Sequence, residues 1–139
     1  TYVDPWIASW AGSRANNTSA YFAPLRGNLP LLLMLLPLTW LFAAFGEEVL
    51  FRGYFMTRVA EFMGRTPVAW AIALIVQAIA FGAAHAYLGP AGMLNAAVLG
   101  AISGVATLAF GRNLWPAIVA HGLLDTMGLT MLYLGANGN

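Results

Sequence analysis

The chain has 139 residues, 60% of them hydrophobic and 8% charged, with a net charge of +1 and no cysteine. Soluble domains carry about one-quarter charged residues, so this composition excludes a water-wetted surface; with no lysine and no basic stripe, it also excludes a nucleic-acid partner. The lack of cysteine removes disulfides, thiolate metal sites and a cysteine nucleophile.

Residues Thr1 to Asn28 mix Trp6, Trp10, Tyr21 and Phe22 with Asn, Ser, Arg and Pro, a composition suited to the membrane–water interface. This segment, 1–28, reads as an interfacial connector. It opens on Thr without a basic-then-apolar leader, so the sequence is expected to begin inside a longer chain. Two overlapping glycosylation-type triplets at Asn16 and Asn17 are of a kind that arises by chance in Asn/Ser-rich loops.

Residues 29–139 form the core. Span A starts at Leu29 and runs to Gly46, just before Glu47-Glu48, with Pro37 expected to start a new helix or kink one. Arg58, Glu61, Gly64, Arg65 and Pro67 mark a polar turn, and span B runs from about Val68 to Tyr87, where Gly89-Pro90 ends it. Span C, from about Ala91 to Phe110, carries the small-xxx-small spacing Gly100 to Gly104, which suits tight helix packing. After Gly111-Arg112-Asn113, span D extends from Leu114 to about Leu134, and Gly135 to Asn139 is a polar tail.

No Asp, Glu, Lys or Arg occurs between Arg65 and Arg112, a stretch long enough for two bilayer crossings of about 20 residues each. The fold class is therefore all-α: an up-down membrane bundle of four helices. Alternating segments of about ten residues, the mark of a barrel, are absent. The protein is expected to be a multi-pass component of the cell (plasma) membrane, in contact with the lipid bilayer. Arg58, Arg65 and Arg112 on one side, against Arg14 and Arg26 on the other, put the A–B and C–D turns in the cytoplasm.

Six ionisable residues within or at the ends of these spans need explaining: Glu47, Glu48, Arg52, His85, His121 and Asp125. A charge at depth costs roughly 2.5–3.5 kcal/mol by insertion scales, and such groups usually face an interior cavity and mark a reaction centre or an ion path. Residues four apart share a helix face, so Glu48 can pair with Arg52, and His121 with Asp125. Glu47 is turned about 100° from Glu48 in an α-helix and is thereby free to act as the general base. Phe81, one turn before His85, shapes the wall beside that histidine. A depth count adds a condition. Measured from Leu29, Glu47 lies about 27 Å along span A, too far to meet His85 near the opposite end of an antiparallel neighbour, so the site requires a break or bend near Pro37.

Glu47-Glu48-Val49-Leu50-Phe51-Arg52, Phe81-Gly82-Ala83-Ala84-His85 and His121-Gly122-Leu123-Leu124-Asp125 look like the EExxxR, FxxxH and HxxxN/D motifs of the CAAX-protease and bacteriocin-processing (CPBP, or Abi) family of intramembrane proteases. They occur in family order, and Leu114 to Ala120 resembles the family's usual lead-in to the third motif. The resemblance implies an endopeptidase acting on membrane-anchored peptides such as CAAX tails or leader peptides. In that reading Glu47 activates water with help from His85, His121 and Asp125 stabilise the oxyanion, and Arg52 holds Glu48. Family members are commonly described as metalloproteases, and a metal-independent glutamate mechanism has also been argued. The residues leave both open: Glu47, His85 and His121 match the ligand types of a catalytic zinc, yet the H-E-x-x-H helix is missing. From outside the protease class, a proton- or ion-coupled transporter would also place Glu and His in a membrane interior, and a structural membrane subunit would use them only to join helices.

Overall fold

The computed structural model describes residues 22–135. Trp6, Trp10, Tyr21, the Asn16 and Asn17 triplets and the tail beyond Gly135 lie outside the described residues. Among those described, four helices are long and apolar enough to cross a membrane: α1 (Leu29–Phe62), α2 (Pro67–Ala84), α3 (Gly89–Ala109) and α4 (Trp115–Leu134). Short 3₁₀ turns at Ala23–Leu25 and Ala86–Leu88 precede α1 and α3.

Each helix opens with a proline in its first turn, where the missing N–H leaves no bond unmade and φ is already helical. Asn28 and Thr66 cap α1 and α2 by accepting from Leu31 N and Ala69 N, each at 3.1 Å. The α1–α2 and α3–α4 turns are built alike. Gly64-Arg65 and Gly111-Arg112 are all left-handed, and Arg65 N and Arg112 N reach back to Ala60 O (2.8 Å) and Thr107 O (2.7 Å). Arg112 lies 5.4 Å from the Trp70 ring centroid, which brings the second turn to the start of α2.

Span A does not stop at Gly46, and near Pro37, where a break or bend is expected, the helix continues with its winding changed from Thr39 onward. A single helix continues through both positions to Phe62. Pro37 takes one donor out of the ladder, Thr39 N bonds both Leu35 O and Leu36 O, and from Thr39 to Phe55 the backbone is wound more widely, as a π-helix with i→i+5 bonds. Glu47 still comes within electrostatic reach of His85, because both lie well along their helices from the turn they share. Glu47 is 15 residues from Phe62, and His85 is 18 residues from Pro67. The count from Leu29 fails because the first turns of α1 extend past the end of α2.

Those first turns pack against the last turns of α4, where Leu25, Leu32 and Leu129 form one buried cluster. A second cluster, Met56, Ala60 and Ala73, joins the end of α1 to the start of α2. Helices α2 and α3 approach so closely that a Cβ on Gly82 would lie 2.7 Å from Met93 O and 2.8 Å from Ala97 Cβ. Helices α1, α2 and α4 thus converge midway along α1, with α3 closing one side.

Candidate active site

The charged residues meet at that convergence, and Glu48 is their centre. Its side chain is completely buried, with Arg52 Nη1 3.2 Å and His121 Nδ1 2.9 Å from the same oxygen, Oε1. The Arg52 guanidinium lies on the face of Phe81, 4.2 Å from its centroid, so the wall residue beside His85 is also a cation–π platform. Beside both is Gly100, where a Cβ would come within 3.2 Å of Arg52 Nη2 and 3.1 Å of Phe81 Cδ1. Gln77 Nε2 donates to Gly100 O at 2.9 Å from a fully buried position. One α1 arginine is thus clamped between α2 and α3, and it neutralises the glutamate that holds α4.

Spacing along α4 joined His121 to Asp125; the fold ties it more closely to Glu48. Since a carboxylate oxygen only accepts, the hydrogen lies on Nδ1. The neutral ring would then turn a lone pair from Nε2 toward Asp125 Oδ2, 3.5 Å away. A proton on the ring or on the carboxyl would make that contact favourable, and the same hydrogen would be what the pair has to offer a third oxygen.

His85 ends α2. Its Nδ1 donates to Phe81 O at 2.8 Å, which fixes the tautomer and leaves Nε2 free to accept a proton. Its ring is 5.8 Å from that of the exposed Tyr87. Glu47 is half-buried, with Oε2 buried and lacking a hydrogen-bond partner, and its carboxylate is within electrostatic reach of His85, His121 and Asp125. A cavity of about 230 Å³ has Glu48, His85, His121 and Asp125 in its wall, together with Asn95 and Ser103 of α3. Glu47 stands beside that wall and does not line it.

The zinc-type set Glu47, His85 and His121 lies around this convergence without the close grouping of a metal site. Both nitrogens of His121 face carboxylates, and among the described residues no three His, Cys, Asp or Glu side chains are gathered as a metal would need.

Gln77, Asn95 and the pair Trp40–Thr126 (Trp40 Nε1 to Thr126 Oγ1, 3.0 Å) are missed when only charged residues are counted. Gln77 had a readable signal, being the one amide in span B and four residues before Phe81.

The model of the family described as type II CAAX prenyl endopeptidase Rce1-like matches residues 29–127, from the first residue of α1 into α4. No curated protein and no solved structure matches the chain. The matched segment contains all three charged motifs, and the chain belongs to the Rce1-like family of CAAX-type intramembrane proteases.

Proposed function

We propose that the protein is an endopeptidase of the cell membrane that hydrolyses peptide bonds in membrane-anchored substrates, of the CAAX-tail or leader-peptide kind, with water activated by Glu47 and His85. The observation that carries this reading is the opposition of two histidines across one cavity. His85 presents an open Nε2, while His121, fixed by Glu48, turns its Nε2 toward Asp125, 3.5 Å away.

Glu47 takes a proton from a water held between it and His85, and the oxygen attacks the scissile carbonyl carbon. Charge develops on the carbonyl oxygen, where the His121–Asp125 pair donates to it. Collapse of the tetrahedral intermediate breaks the C–N bond, and the proton held by Glu47 passes to the leaving amine. Burial strengthens each of these interactions, since little water competes for the charges. Glu48 and Arg52 do not touch the reacting atoms; they hold His121.

The test is cleavage of bilayer-embedded peptides by purified protein. Glu47→Ala, His85→Ala and His121→Ala are each expected to lose at least about 10² in rate, the scale of general acid–base catalysis. Wild-type rates in all three would end the proposal.

A further inference from the structure

Four Asn or Gln residues lie in the described part of the chain, and three have structural employment. Asn28 caps α1, Gln77 holds Gly100 O, and Asn113 accepts from Trp115 N at 3.1 Å. Asn95 alone makes no hydrogen bond among the described residues. It is nevertheless exposed, six residues into a membrane-crossing helix whose large exposed side chains are Leu94, Val98, Leu99, Ile102 and Val105. An unpaired carboxamide set among such neighbours is costly. Its location resolves the anomaly, because Asn95 opens on the cavity that holds Glu48, His85, His121 and Asp125.

We propose that Asn95 binds the backbone of the substrate peptide beside the scissile bond. This rests on the peptidase reading above. A peptide must be extended to be cut, and in an apolar cavity each N–H and C=O released from helical pairing needs a new partner. A carboxamide offers donors and an acceptor together, matching one peptide group, and it carries no charge to compete for the proton that Glu47 moves. Leu99 and Ile102, one and two turns further along the same face of α3 and also in the cavity wall, give the substrate's side chains an apolar surface beside that bond.

The experiment compares wild type with Asn95→Leu, on a membrane-anchored peptide and on a series of its depsipeptides in which each amide near the scissile bond is replaced in turn by an ester. Asn95→Leu is expected to lower kcat/KM about tenfold on the all-amide peptide, the size of one lost hydrogen bond, mainly through KM. Its melting temperature should equal or exceed that of wild type, because no bond within the protein is lost. One ester position should reproduce the loss in wild type and show no further loss in Asn95→Leu. Equal cleavage by wild type and variant, or a loss that every ester position leaves unchanged, would overturn the role of Asn95 while leaving the peptidase reading intact. Loss of activity in step with loss of folded protein would also overturn it, by making Asn95 a structural residue. If wild type cleaves none of the peptides, the peptidase reading and this inference fall together.

Discussion

Gly122 is the point at which a single methyl group should separate activity from stability. A Cβ there would lie 2.7 Å from Trp40 Cε3 and Cζ3 and 2.8 Å from Cδ2. The indole cannot swing clear, because its Nε1 is bonded to Thr126 Oγ1 at 3.0 Å, and that hydroxyl is itself bonded to Gly122 O at 2.7 Å. Restoring ordinary contact, which begins at 3.4 Å, requires 3.4 − 2.7 = 0.7 Å of movement between α4 and α1. Overpacking of this kind costs about 1–3 kcal/mol. The adjacent residue is His121, and a shift of that size carries its 2.9 Å contact with Glu48 out to about 3.6 Å, no longer a hydrogen bond. Misplacement near 1 Å can cost about 10²-fold in rate. Gly122→Ala should therefore stay folded in detergent with a lowered melting temperature while kcat/KM falls by about two orders of magnitude. Trp40→Leu, which removes the obstructing ring, should recover part of both losses in the double variant, with a coupling energy above about 0.5 kcal/mol. Wild-type kcat/KM in Gly122→Ala, or strict additivity in the double variant, would refute the reasoning.

Arg52→Met leaves Glu48 buried without its cation and should cost about 3–5 kcal/mol; adding Glu48→Gln should restore much of the melting temperature but no activity, since His121 then lacks its anionic partner. Gln77→Leu removes the bond from α2 to the Gly100 carbonyl, which keeps its place in the α3 ladder, for a loss of about 0.5–1.5 kcal/mol in denaturant titration, with a smaller loss of activity than Arg52→Met. Because no three ligand-type side chains converge among the described residues, exhaustive chelation should leave peptide cleavage unchanged; activity lost on chelation and restored by stoichiometric zinc would contradict the glutamate–water mechanism.

The four crossings, and the limits of the last three, were legible because hydrophobic length and Gly/Pro-marked turns are local signals. Spans B, C and D fall within a few residues of α2, α3 and α4. The charged residues stood out because charge at depth is expensive. What could not be read was registry between helices. Counting from Leu29 assumed that all spans begin at the same depth, and the break inferred at Pro37 followed from that assumption. The contact of Glu48 with His121 spans 73 positions of sequence, beyond the reach of any i, i+4 rule. Gln77, Asn95 and Thr126 escaped because neutral polar residues carry no obvious penalty in a composition scan, although their bonding possibilities decide how the helices and the cavity fit.

The wide winding of α1 explains how adjacent carboxylates can take different parts without facing away from each other. In an α-helix, neighbours are turned by about 100°. A backbone with i→i+5 bonds holds more residues per turn, so Glu47 and Glu48 are turned by less than this and both stay toward the convergence of α2 and α4. Glu48, deeper, takes the arginine and the histidine; Glu47, half-buried, keeps an oxygen unbonded within electrostatic reach of His85. A buried ion pair such as Glu48–Arg52 is a weak source of stability compared with apolar packing of the same volume. Its value here is directional, because one carboxylate oxygen fixes an arginine between α2 and α3 and an imidazole on α4, and so holds three helices in the register that the cavity needs.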